Sequence, residues 1–132
     1  MLTRLTLTLA ALALAACGDD SPPADQQKIQ VRAEEQEQLH KLDAINLAVG
    51  LKHAIYDAGY TCKQITDAGF VGKYQNLDQW AAHCTDGKTQ RDWAIFAGPD
   101  GSAQVRDCKD LPGLGLPACV IRQRPKGKFG QL

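Results

Sequence analysis

Apolar positions along this 132-residue chain change their spacing twice, and each change marks a different kind of element. Leu5 to Ala13 is a nearly continuous run of Leu, Ala and Thr. From about Val31 to Ala58 the spacing is helical. Glu34, Glu35, Gln36, Glu37 and Gln38 are good helix formers, no proline intervenes, and the acids lie at the end where the helix dipole favours them. One long helix is therefore expected over 31–58, weakened at Gly50 and stopped by Gly59. At 100° per residue, Ala44, Leu47, Ala48, Leu51, Ile55 and Ala58 form one stripe with Ala54 beside it, which is the expected core face. Leu39, Leu42, Ile45, Val49 and Tyr56 form a second apolar arc that one sheet does not easily cover. Two outcomes are open for that arc. It packs under the C-terminal segment, or it is the docking face for a protein partner.

Beyond Gly59 the period falls to two. Lys63-Gln64-Ile65-Thr66 runs into Asp67-Ala68-Gly69, which reads as a breaker, and Phe70 to Tyr74 reads as a short strand ahead of a tight turn at Gln75-Asn76. Leu77 to Cys84 places Trp80, Ala82 and Cys84 on one face. Asp86-Gly87 is a hairpin signal. Thr89 to Ala97 aligns Trp93, Ile95 and Ala97, and after the turn Gly98-Pro99-Asp100-Gly101, Ser102 to Cys108 alternates again. The expected fold class is α+β. One long N-terminal helix packs on a three- to four-stranded antiparallel meander, and two disulfides brace it. Val120-Ile121 is a candidate for a further short strand, and 122–132 reads as a solvated basic tail, with contact to anionic lipid heads as the alternative.

The first apolar run is far shorter than the ~20 residues that span a bilayer, so it is the core of an export signal. It leads to Leu14-Ala15-Ala16-Cys17-Gly18, which resembles the lipobox of bacterial lipoproteins. The resemblance implies cleavage before Cys17, a lipid on its sulfur and a periplasm-facing protein held at the membrane. Residue +2 is Gly18 and not the Asp that implies inner-membrane retention in Gram-negative lipoproteins, so the outer membrane is the implied destination. The competing reading is ordinary cleavage at Ala13-Leu14-Ala15. The domain plan is then a signal peptide over 1–16, a lipidated cysteine with a flexible stem over 17–30, a small domain over 31–121 and the tail. The stretch Trp80-x-x-x-Cys84-x-x-Gly87, Trp93-x-Ile95, Pro99-Asp100-Gly101 and Val105-x-x-Cys108 also resembles small exported cysteine-containing bacterial domains, and that resemblance implies no activity. The order of helix and then meander is similar to small α+β outer-membrane assembly lipoproteins, by analogy of architecture alone.

Charge narrows the partners. Fifteen bases match fifteen acids. Arg4 leaves with the leader, so the mature chain carries fourteen against fifteen, a balance that argues against nucleic acid. The five cysteines separate into Cys17 and an even set of four. Downstream of an export signal, that set reads as two disulfides and not as four free thiols. In a meander, Cys84 and Cys108 share an end of the sheet two strands apart, about 9–10 Å, which is too far for a bridge. A strand at Phe70 to Tyr74 brings Cys62 near Cys84, and Cys108 and Cys119 close a loop of turn residues. Cys62–Cys84 with Cys108–Cys119 is favoured, and Cys62–Cys108 with Cys84–Cys119 is the alternative.

Chemistry-bearing patterns are sparse. His40, His53 and His83 form no metal-binding spacing, and His83 and Cys84 are neighbours that point to opposite faces of a strand. There is no CxxC pair, no phosphate-cradling loop and no GxSxG elbow. Trp80 and Trp93 read as core neighbours on adjacent strands, with ligand stacking as the alternative. The expectation is a non-enzyme with no metal or cofactor: a lipid-anchored module of the envelope that binds a protein. Its alternatives are an inhibitor or immunity lipoprotein that inserts the Cys108–Cys119 loop, and a small-ligand binder.

Overall fold

Leu42 and Asp43 divide the expected long helix in two. In the computed structural model, which describes residues 33–130, α1 spans Glu34–Lys41 and α2 spans Ala44–Asp57. Leu42 is extended at φ −73°, ψ 144°, and Asp43 follows at φ −75°, ψ 176°. The cause is local. The Asp43 carboxylate accepts the backbone N–H of Asn46 at 2.9 Å and its side-chain amide at 3.0 Å, satisfying a donor that a fresh helix start would leave orphaned. An N-cap residue with extended backbone begins a new helix instead of continuing an old one. The single long N-terminal helix is thus corrected to two shorter ones. At the far end Gly59, at φ 88°, behaves as expected: its N–H reaches the Tyr56 carbonyl and that of Tyr60 reaches Ile55, a Schellman ending.

Four antiparallel strands follow in sequence order: β1 (Gln64–Tyr74), β2 (Leu77–Thr85), β3 (Gln90–Ala97) and β4 (Ala103–Asp107). The first strand begins six residues before the expected Phe70. Asp67-Ala68-Gly69 does not break it. Register shifts between Ile65 and Asp67 and between Phe70 and Gly72 absorb Thr66 and Val71 as extra residues, so the pairing with β2 survives.

Both faces of the sheet are covered. On one, Trp80, Ala82, Cys84, Trp93, Ile95 and Val105 pack against Leu47, Leu51 and Ile55 of α2, the core stripe expected from sequence. On the other, Ala94 and Phe96 pack with Leu111, which is fully buried, and with Leu116 and Cys119 beyond it. Leu111 sits between the short helical turns Cys108–Asp110 and Pro112–Leu114.

The segment after Cys119 then wraps the open edge of β1. Arg122 N–H donates to the Phe70 carbonyl and Phe70 N–H to the Gln123 carbonyl, both at 2.8 Å. This single bridge at Gln123 takes the place of the strand expected at Val120-Ile121. Further on, the Lys126 carbonyl accepts the first N–H of α2, from Ala44, at 2.8 Å, and Phe129 packs into the helix-side cluster. Gly69 makes the wrap possible, because a β-carbon there would collide with the Gln123 carbonyl and the Ile121 side chain.

Candidate functional site

The residues expected to carry function fall into four groups. Cys17, with the leader and the stem, lies outside the described residues. The disulfides form in the favoured pairing, Cys62–Cys84 with Cα atoms 5.4 Å apart and Cys108–Cys119 at 5.8 Å. Each bridge belongs to a different core: Cys62 and Cys84 to the helix-side cluster, Cys108 and Cys119 to the cluster on the opposite face.

The proposed docking arc is split by the helix break. Leu39 and Leu42 turn inward and pack against the helix-side cluster. Ile45, Val49 and Tyr56 stay on the surface at 51 %, 47 % and 48 % exposure. Their spacing of four and seven puts them on one side of α2, whose opposite side carries Leu47, Leu51 and Ile55, all essentially inaccessible. Apolar on both sides, α2 has only one of them covered within the described residues.

Trp80 and Trp93 are core residues at 2 % and 1 % exposure. Tyr60 stacks on the Trp93 ring at 4.5 Å, and the Arg91 guanidinium lies 4.6 Å from its centre. Neither indole face is open to a ligand. The two are not paired directly, since Trp80 faces Ile95 and Trp93 faces Ala82 across the β2–β3 ladder.

A polar cluster that sequence reasoning missed lies under α1. Gln36 and His40, one helical turn apart, both point into the sheet. The Gln36 amide donates to the carbonyls of Asn76 at 2.8 Å and Ala97 at 3.0 Å, while its oxygen accepts the Ala33 N–H. His40 Nε2 lies 2.8 Å from an oxygen of the fully buried Asp78. Its ring is flanked by Phe70 at 4.5 Å and Trp80 at 4.7 Å. One signal was present: Asp78 falls in register with Trp80, Ala82 and Cys84, and a carboxylate on a core face needs a donor. A histidine held by a carboxylate resembles half of an acid–base couple. The adjoining cavity of about 320 Å³, bounded by Leu39, Leu42, Phe70, Trp80 and the 123–125 segment, supplies no hydroxyl or thiol to activate among the described residues. The couple fastens α1 to the β1–β2 end of the sheet.

On the opposite face, His83 Nδ1 meets Asp92 at 2.6 Å, and Arg124 binds Asp67 through two nitrogens, the shorter contact 2.8 Å. Arg124 holds the Asp67 carboxyl below the usual carboxylate range against the opposing effect of partial burial. The His83–Asp92 pair joins β2 to β3, and the exposed Arg124–Asp67 pair ties the C-terminal wrap to β1. Among the described residues no group of His, Cys, Asp and Glu is arranged to hold a metal ion, and no helix is long and apolar enough to cross a membrane.

No family model, curated protein or solved structure matches this chain. Next to the exposed stripe on α2 lies a groove of about 410 Å³, between α2, the start of β1 and the 128–130 segment. Ile45 belongs to both the stripe and the groove.

Proposed function

We propose that this chain is a membrane-anchored, periplasm-facing lipoprotein, tethered through a lipid on Cys17, that acts as a non-catalytic protein-binding module of the cell envelope. The tether rests on the Leu14-Ala15-Ala16-Cys17 pattern. The binding role rests on one observation: the side of α2 carrying Ile45, Val49 and Tyr56 is half exposed on a helix that is apolar around most of its circumference. A helix of that kind is ordinarily covered on both sides, and a contiguous apolar surface marks an interaction site. The partner presents a complementary apolar face.

The test uses a photo-cross-linker at Val49 in native envelopes. A discrete cross-linked species is expected, lost in the Ile45→Glu/Tyr56→Glu variant while thermal stability stays within a few degrees of the parent. Absence of a discrete species, or a large stability loss in the variant, would remove the basis for the binding role. Cys17→Ser is expected to leave the domain folded and shift it from the membrane fraction to the soluble one; continued membrane association would overturn the tether.

A second reading is favoured by the Cys108–Cys119 loop, whose tip residue Leu114 is 54 % exposed on a disulfide-closed, turn-stiffened segment. Such a loop suits an inhibitor inserting a single apolar residue. Leu114→Arg is the appropriate probe, because excising the loop would remove the buried Leu111 as well.

A further inference from the structure

The groove beside α2 has an apolar interior and a cationic rim. Ile45, Ala48, Ile65 and Phe129 line its inside, and Lys52, Lys63 and Lys128 stand around it. No Asp or Glu among the described residues contributes to its lining. Among the described residues none of the three lysines belongs to a salt bridge. Lys52 is positioned by donating its ammonium to the Lys63 carbonyl at 2.8 Å, which keeps its charge at the rim beside the start of β1. Lys63 also acts on Asp86, but as the smallest of the influences lowering that carboxyl. Three positive charges without a counter-charge among the described lining residues favour an anion, and the apolar interior favours a hydrocarbon. The volume lies within the range of small-molecule sites, about 300–1,000 Å³. The surface is concave, so a flat bilayer does not reach Ile65 or Phe129.

We propose that this groove binds a single-chain anionic amphiphile, its carboxylate or phosphate head among Lys52, Lys63 and Lys128 and its aliphatic tail against Ile45, Ile65 and Phe129. The site is independent of the protein-binding role proposed above, although the shared Ile45 places the two side by side.

The experiment is titration of the full chain, both disulfides closed, followed by amide NMR shifts. The probes are decanoate and decyl phosphate below their micelle-forming concentrations, with octyl glucoside as a neutral-headed control and inorganic phosphate as a tail-less one. Saturable shifts at Ile45, Lys52, Ile65 and Phe129 are expected with either decyl probe. The stronger of the two identifies a carboxylate or a phosphate head as the preferred source. Lys63→Glu/Lys128→Glu should weaken binding about tenfold at unchanged thermal stability, and Lys63→Arg/Lys128→Arg should restore it. Ile45→Ser, a change at an exposed position, should weaken binding of the decyl probes without creating binding of phosphate. Equal binding of octyl glucoside, saturation of the same shifts by phosphate alone, or indifference to charge reversal would each overturn the proposal. So would binding of an oligoglutamate peptide where the decyl probes fail.

Discussion

Removing the Cys62–Cys84 bridge should cost this domain more than removing Cys108–Cys119, and the damage should appear in a different place. The relevant perturbations are Cys62→Ala/Cys84→Ala and Cys108→Ala/Cys119→Ala, with alanine chosen so that no hydroxyl is buried. The two bridges span 22 and 11 residues of sequence. In the chain-entropy account those loops correspond to about 3.4 and about 2.8 kcal/mol at 25 °C. Burial widens the gap. Cys62 and Cys84 are 2 % and 4 % exposed inside the helix-side cluster, so each truncation forfeits roughly 1 kcal/mol of packing, whereas the other pair is only half-buried and forfeits about half as much. The totals are then about 5 against about 4 kcal/mol, set against the 5–15 kcal/mol typical of a whole domain. Urea unfolding followed by tryptophan fluorescence measures both losses, since Trp80 and Trp93 lie in the helix-side cluster. Hydrogen exchange locates them: faster exchange at β1 and β2 for the first variant, and around Ala94, Phe96 and Leu111 for the second. An equal or larger loss from Cys108→Ala/Cys119→Ala, or faster exchange in β1 and β2 on opening that bridge, would refute the assignment of one bridge to each core.

Gly69→Ala should destabilise by about 1–3 kcal/mol, because the added methyl meets the Gln123 carbonyl and Ile121. The amides of Phe70 and Ala44, which donate to Gln123 and Lys126, should lose exchange protection; unchanged protection would show that the wrap does not depend on this close approach. Asp43→Ala should cost about 1 kcal/mol and Asp43→Asn little, as befits an N-cap; equal losses in chemical denaturation would rule out capping as the cause. In acid, Asp67 and Asp86 both have folded-state pKa values below their unfolded ones. Asp67 is lowered first by Arg124, and Asp86 is held at about 2 by the backbone N–H groups of Thr89 and Lys88. Their stabilisation is therefore present above the ordinary carboxylate pKa of about 4 and is lost as pH falls through the lowered values. Carboxyl-carbon NMR should show Arg124→Gln raising the Asp67 midpoint while that of Asp86 stays near about 2. An unmoved Asp67 would disprove the assigned cause.

What could be read from sequence and what could not divides along a physical line. The meander was legible because period-two alternation and turn pairs such as Asp86-Gly87 are local signals, and strand direction then converted cysteine positions into proximities. The wrap over β1 was not legible. Apart from the Arg124–Asp67 pair it is held by backbone hydrogen bonds, donated by Arg122 and Gln123 and accepted by the Gln123 and Lys126 carbonyls, which leave no side-chain pattern, and Gly69 read as a breaker when its role is close approach. The helix break was legible in principle at Asp43, but one capping residue was outweighed by a long run of helix formers. That break changes the meaning of the second apolar arc. On a continuous helix, Leu39 to Tyr56 would face one way, and a single covering element or a single partner would account for all of it. With Asp43 starting a new helix, the two halves no longer share a direction. Leu39 and Leu42 complete the core, the 128–130 segment lies beside Ile45, and Val49 and Tyr56 remain at the surface. Part of the arc is thus core and part is exposed surface, on opposite sides of one capping aspartate.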